Sequence, residues 1–212
     1  MRHLPEAWLR TAARIGARGD VAQVGAELLG RYAEPHRHYH GLAHLDDVLR
    51  NIDELASEAH DVDVVRMAAW FHDAVYAPTS PDNDERSARL AEGLLSTLRV
   101  ADPVAADVAR LVRLTATHAP DVGDRDGAVL CDADLAILAS DEGGYSTYVR
   151  AVRAEYGHLG DAAFARGRTS VLQGLLGRDP MFSTETGRSS WDAAARRNVS
   201  AELGQLGGTN AD

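Results

Sequence analysis

Cysteine and long apolar runs are nearly absent from this sequence. Cys131 is the only cysteine among 212 residues, so no intramolecular disulfide can form, and we expect a reducing, cytoplasmic environment. No run of eighteen apolar residues is present, which predicts that no segment crosses a membrane. The first eighteen residues interleave apolar residues with arginines and lack the continuous apolar segment of a secretory signal.

Lysine is absent as well. All 22 basic residues are arginines, and with 32 acidic residues they give a formal net charge of −10. Binding to duplex nucleic acid needs clustered cations on phosphates, so we expect no duplex nucleic-acid partner. A small anionic substrate would need local positive charge, which a bound metal ion supplies. The composition therefore favours a pocket for a small anionic substrate over a groove for a polyanion; association into a homodimer stays open.

The apolar residues recur at helical spacing throughout, without strand alternation, which predicts an all-α fold. The length suits one domain over residues 1–212, with a core over about 20–180 and a C-terminal helical extension over about 181–206. Asp20 followed by Gln23 resembles a capping box. Helices are expected over Leu4–Ala17, Val21–Ala33, about His44 to Leu55, Val62–Tyr76, Asp84–Leu98, Val104 to about His118, Val129–Ala139, Gly143–Tyr156, Asp161–Leu176 and Ser190–Leu206. The tail from Gly207 is expected to fray.

Four of the nine histidines lie between Glu34 and His44. His40 and His44 stand four residues apart at the start of a predicted helix, so they can share one face and converge on one site. A solvated histidine-rich turn is the alternative for this segment taken alone.

The dipeptide His72-Asp73 stands near the end of the most apolar predicted helix. Adjacent helical residues point about 100° apart, so both reach one ion only if the ion lies beside the helix end. A carboxylate in an apolar helix is costly to bury without a partner. A metal ion is one partner that fits, and a salt bridge is the other.

Two further carboxylates, Asp132 and Asp134, lie in an apolar segment. Asp134 shares a face with Leu130 and Leu138, so it is expected to point inward and to need a partner. Asp132 lies on a different side, where it would support the ligands. Alternatively, either residue is the N-cap of a helix that starts later.

Two imidazoles and two carboxylates on three helices predict a site for a divalent ion. The donor set suits Mn, Fe, Co or Zn, and Mg less well. A site that leaves coordination positions open to water and substrate is typical of catalytic metals.

The order His…His-Asp…Asp resembles the HD superfamily of metal-dependent phosphohydrolases, in particular bacterial proteins described as predicted metal-dependent HD phosphohydrolases. The resemblance implies a helical HD-domain bundle and an enzyme that hydrolyses phosphate esters of a nucleotide or another small metabolite. It implies His44, His72, Asp73 and Asp134 as metal ligands. The similar segments are Glu34-Pro35-His36-Arg37-His38-Tyr39-His40, Trp70-Phe71-His72-Asp73, Asp82-Asn83-Asp84-Glu85-Arg86-Ser87, Asp132-Ala133-Asp134-Leu135-Ala136-Ile137-Leu138 and Arg196-Arg197-Asn198.

The segment from Tyr39 to Val48 is also similar to cyclic-nucleotide phosphodiesterases. By that resemblance His40 protonates the leaving oxygen while the metal activates water and polarises the phosphoryl group. Those enzymes have Asn where this chain has Gly41, so their cyclic-nucleotide specificity is not implied.

Other residues are weaker candidates for catalysis or substrate binding. Glu85 is either a base near the site or, with Asp82, part of a capping box. His118 is an auxiliary ligand, a substrate contact or a hydrogen-bonded core histidine. Arg37 and Arg86 could hold phosphate through the guanidinium fork, and solvated arginine is the alternative for each.

Two other functions remain open. The pattern also resembles that of HD-type di-iron oxygenases, but those enzymes need additional histidines between the His-Asp pair and the last aspartate. Only His118 lies there, which favours a single metal ion. A non-catalytic module that senses a ligand through its metal is the other alternative.

Overall fold

The chain folds as a series of helices in a computed structural model that describes residues 3 to 208. Over these residues it forms ten α-helices and no strand, so the predicted all-α fold is confirmed. The helices are α1 (Leu4–Arg14), α2 (Val21–Tyr32), α3 (Leu42–Glu54), α4 (Val62–Phe71), α5 (Asn83–Thr97), α6 (Asp102–Leu114), α7 (Arg125–Leu135), α8 (Glu142–Glu155), α9 (Asp161–Leu176) and α10 (Asp192–Gly208). Within the described range, no helix combines the length and the apolar character needed to cross a membrane.

The helices group into two compact units. The first ends at Ala133 and the second begins at Asp134. This boundary falls inside the continuous helix α7, to which Asp134 belongs. The single domain expected from the chain length, with its extension from about residue 181, stays a prediction.

Capping residues set several of the helix ends. The Asp20 carboxylate accepts a hydrogen bond from the Gln23 N–H at 3.1 Å, and α2 begins at the next residue, as predicted. Asp124 caps α7 in the same way, through the Gly127 N–H at 3.0 Å. The helix therefore starts at Arg125, four residues before the expected Val129.

Two helix-capping roles considered for acidic residues are wrong. Asp132 and Asp134 both lie inside α7, so neither is the N-cap of a later helix. Asp82 does precede α5, but its side chain makes no capping hydrogen bond and instead accepts one from the Ser80 hydroxyl. The expected capping box with Glu85 does not form.

Helix α4 is the buried centre of the first unit, as predicted, because seven of its ten residues are buried. The Trp8 ring of α1 packs edge-on against Trp70 and Phe71, with ring centroids 5.5 and 6.3 Å apart. The helix ends at Phe71, so its predicted continuation to Tyr76 is wrong. The backbone after His72 instead accepts hydrogen bonds from side chains that are distant in the sequence.

The second unit has a core of its own, formed by α8, α9, α10 and the segment that follows α7. A buried ion pair joins α9 to α10, in which Arg168 Nε donates to Glu202 at 2.7 Å. The Tyr145 hydroxyl donates to the same carboxylate at 2.6 Å. Of the tail expected to fray, Gly207 and Gly208 are helical and the rest lies outside the described residues.

Gly25 of α2 tests the contact between the first two helices. A methyl group at this position would overlap the Trp8 indole, whereas one at Gly30 of the same helix meets nothing within 4 Å. We expect Gly25→Ala to lower the free energy of unfolding by about 1–3 kcal/mol through overpacking. Gly30→Ala should raise it by about 0.5–1 kcal/mol through helix propensity. Urea unfolding measures both, and equal effects of the two variants would contradict this packing.

Candidate metal centre

Two buried imidazoles face each other within the first unit. His44 lies in the first turn of α3, and His72 follows the last residue of α4. Their side chains are shielded from solvent, and their Nε2 atoms are 3.0 Å apart. Each α-helix thus delivers one imidazole nitrogen to the same point.

A backbone carbonyl fixes the tautomer of His72. Its Nδ1 lies 2.8 Å from the carbonyl oxygen of Ala69. Because a carbonyl oxygen can only accept, Nδ1 carries a hydrogen, and in the neutral ring Nε2 then presents a lone pair. Metal-bound histidines are held in this way, with the second ring nitrogen donating to a carbonyl or a carboxylate.

The Asp73 carboxylate completes a set of three close donor atoms. Its Oδ2 lies 3.4 Å from His44 Nε2 and 3.2 Å from His72 Nε2. Burial opposes ionisation of this carboxyl, but the charges of His72 and His40 and hydrogen bonds from His44 and His72 hold its pKa well below the usual range. Asp73 is therefore an anion beside two imidazoles.

The separations of these donors fit a shared ion. Two ligand atoms that each lie about 2.1 Å from one ion are about 3.0 Å apart at an angle of about 90° and about 3.4 Å apart at about 110°. The three observed separations span this range. The donor types also suit a divalent transition metal.

Helix α7 provides the remaining predicted ligand. Its C-terminal end is held to α3 by the Asn51 side-chain amide, which donates to the Ala133 carbonyl at 2.9 Å. Half-buried Asp134 is the next residue, and it forms with His44 and His72 a group whose ligand atoms all lie within 4.8 Å of one another. This group could hold a metal ion, while the identity of the ion stays a prediction.

The backbone after His72 is held by side chains from elsewhere in the sequence. Residues 73 to 77 are not helical, and each of their carbonyl oxygens accepts a side-chain hydrogen bond. The donors are Arg37 for Asp73 and Ala74, Ser87 for Val75, His36 for Tyr76 and Asn83 for Ala77. The segments around residues 34–40 and 82–87, which carried much of the family resemblance, therefore bind this turn.

The structure places His40 beside the centre. Its half-buried ring stacks on Tyr76 with centroids 4.2 Å apart, and it lies 5.7 Å from the His44 ring. Its charge also helps to lower the pKa of Asp73. A role in proton transfer stays a prediction, and this position suits it.

Asp84 is a nearby residue that sequence reasoning missed. It is half-buried in the first turn of α5, and its pKa is raised, mainly by burial and also by the charge of Asp73, against opposing effects that include His118 and His72. Asp84 is thus electrostatically coupled to Asp73 and His72 of the centre and to His118. The only sequence signal was the run from Asp82 to Glu85, which does not distinguish its members.

His118 has an unusual backbone conformation. It follows α6 with φ of 47°, in the left-handed region that favours glycine, and its N–H donates to the Leu114 carbonyl. A non-glycine residue in this region costs about 1 kcal/mol or more, and Arg99 after α5 has the same conformation with φ of 55°. Whether His118 binds a ligand stays a prediction.

Glu85 faces two arginines. It accepts from Arg113 at 2.6 Å and from Arg89 at 2.7 Å, and hydrogen bonds from these groups lower its pKa to about 2. A general base works best with a pKa near the working pH, so this placement disfavours the predicted role as a base. Arg86 is exposed, 4.0 Å from Asp82, and its contact with substrate stays a prediction.

The structure also locates the last two predicted site residues. Asp132 is buried inside α7, where its supporting role stays a prediction. Arg37 is buried as well, and its guanidinium group is bonded to backbone carbonyls and to Glu34. That placement disfavours a phosphate contact, which would require these bonds to break.

Comparison with known proteins adds no family. No family model, curated protein or solved structure matches this chain. The resemblance to the HD superfamily therefore depends on the motifs alone.

Ser87 tests whether the turn after α4 depends on its side-chain partners. Its hydroxyl accepts from the Val75 N–H at 3.0 Å and donates to the Val75 carbonyl at 3.2 Å. Ser87→Ala removes this partner from the N–H and the carbonyl of half-buried Val75, so we expect the free energy of unfolding to fall by about 1–3 kcal/mol. Exposed Ser96 of the same helix is the control, and Ser96→Ala should change it by less than about 0.5 kcal/mol. Equal denaturation midpoints for the two variants would contradict the assignment.

Proposed function

We propose that this protein is a metal-dependent phosphohydrolase that acts on a nucleotide or another small phosphorylated metabolite. The observation that carries the proposal is the convergence of His44, His72 and Asp73, with donor atoms 3.0 to 3.4 Å apart and His72 Nδ1 bound by the Ala69 carbonyl. The motif order around these residues adds the reaction class by resemblance.

The donor set supports a catalytic ion more than a structural one. His44, His72 and Asp73, with Asp134 as the fourth ligand, would hold a divalent cation, which supplies the Lewis acidity that polarises a phosphoryl oxygen and activates water. Closed structural sites are typically built from cysteines and histidines, and the only cysteine, Cys131, is not in this group. A mixed set of imidazoles and carboxylates is typical of hydrolytic centres.

The residues around the centre would orient the ligands, retain the cation and protonate the leaving oxygen of the ester. The Ala69 carbonyl holds the His72 ring in its ligating tautomer, and the anionic Asp73 favours retention of a cation. His40, stacked on Tyr76 beside His44, would donate a proton to the leaving oxygen of the ester. Positive charge from the cation would attract phosphate to a protein whose net charge is −10.

Metal content and activity together test this function. We expect the wild-type protein to bind close to one divalent ion per chain and to hydrolyse phosphate esters in a reaction that a chelator stops. A screen of nucleotides and metabolites with Mn, Fe, Co, Zn and Mg would identify the substrate. Two irons per chain with oxygen consumption would contradict the proposal, and so would stoichiometric metal without any hydrolysis.

Two histidine variants separate metal binding from proton transfer. His72→Ala removes a ligand, so both bound metal and activity should be lost. His40→Ala should retain the metal and lower turnover by about 10²–10⁴-fold, the usual contribution of a positioned general acid. Exposed His60 is the matched control, and His60→Ala should leave both unchanged. Loss of metal from His40→Ala would instead make His40 a ligand.

A further inference from the structure

Arg37 is a buried cation next to the metal centre. Only 1% of its side chain is exposed, and its carboxylate partner Glu34, at 3.0 Å from Nε, is 40% exposed. The guanidinium carbon lies 5.3 Å from the Tyr32 ring centroid and 5.5 Å from that of Tyr76. Burying a charged group is costly unless its hydrogen bonds are satisfied, so its partners indicate what it does here.

The guanidinium group joins the two segments that carry the site residues. Its Nη1 donates to the His40 carbonyl at 3.0 Å and to the Asp73 carbonyl at 2.6 Å, and Nη2 donates to the Ala74 carbonyl at 3.3 Å. One side chain thus fixes the backbone that leads into α3 relative to the turn that follows α4. A planar fork can hold several acceptors at once, which an ammonium group cannot do with the same geometry.

Tyr32 binds the backbone N–H of Asp73, whose carbonyl Arg37 binds. Its hydroxyl oxygen accepts from the Asp73 N–H at 3.3 Å and its O–H donates to the Ala69 carbonyl at 3.4 Å. Both backbone polar groups of Asp73 are therefore bound, the N–H by Tyr32 and the carbonyl by Arg37. The direction of the Asp73 carboxylate toward the two imidazoles depends on this pair.

We propose that Arg37 is a positioning residue of the metal centre, which acts through the carbonyls of Asp73 and His40 and binds no substrate phosphate. Its guanidinium group sets the distance between the Asp73 carboxylate and the imidazoles of His44 and His72. The proposal rests on the metal site put forward above and does not depend on the hydrolytic reaction. Supporting residues of this kind typically change metal affinity by about 10–100-fold.

Cobalt titration of the full chain tests this role without reference to activity. Visible absorption of Co²⁺ reports both its dissociation constant and the geometry of its ligands. We expect Arg37→Lys to weaken cobalt binding by about 10–100-fold and to alter the absorption bands. The control is Arg50→Gln on α3, where the exposed Arg50 pairs only with Asp47 among the contacts described. It should match the wild type in both respects.

The outcomes separate positioning from a purely structural role. An Arg37→Lys protein with lowered thermal stability but wild-type cobalt affinity and spectrum would overturn the proposal. If Arg37→Lys does not fold, Tyr32→Phe decides, because it keeps the ring and removes only the hydroxyl that binds Asp73. Weaker cobalt binding by folded Tyr32→Phe supports the positioning of Asp73 by this pair, and unchanged binding overturns it.

Failure of the proposed function gives a different result. A wild-type protein that binds cobalt but hydrolyses no ester removes the hydrolase, and the comparison of Arg37→Lys with the wild type still decides this inference. A wild-type protein that binds no cobalt overturns both.

Discussion

The candidate centre depends on five residues of buried or half-buried backbone, residues 73 to 77, that leave a helix. Because α4 ends at Phe71, the carbonyls from Asp73 to Ala77 accept hydrogen bonds from side chains that lie far away in the sequence. A buried carbonyl without a partner costs about 1–3 kcal/mol, so this turn exists only where such side chains are supplied. In a continuing helix His72 and Asp73 would point about 100° apart. The turn instead brings the Asp73 carboxylate within 3.2 Å of His72 Nε2.

Hydrogen-bond and charge partners also set the chemistry of the side chains at the centre. The Ala69 carbonyl, one turn back in α4, binds His72 Nδ1, so Nε2 is the nitrogen that faces His44 and Asp73. The imidazoles in turn keep Asp73 ionised although it is buried. The guanidinium fork of Arg37 binds three carbonyls and a carboxylate together, which a lysine in its place could not do with the same geometry. Backbone carbonyls and a few buried side chains thus orient His72 and Asp73.

Much of the fold and of the candidate metal cluster could be predicted from sequence, for identifiable reasons. Apolar spacing gave the helices, and Asp20 marked the start of α2 because capping is local. A carboxylate in an apolar helix needs a partner, which pointed to Asp73 and Asp134. The end of α4 could not be read, since the apolar pattern continues to Ala74 and the residue that binds the turn, Arg37, is 36 positions from Asp73.

The outer residues of the site were harder to predict for the same reason. Glu85 looked like a base near the centre, yet its partner Arg113 lies 28 positions away and no local pattern shows the pair. The coupling of Asp84 to Asp73 and His118 depends on how the folded chain brings separate segments together, which no local pattern shows. X-ray absorption at the metal edge tests the central claim most directly. The account predicts two imidazole nitrogens and carboxylate oxygens at about 2.0–2.2 Å from one bound ion, and a spectrum without imidazole scattering would contradict it.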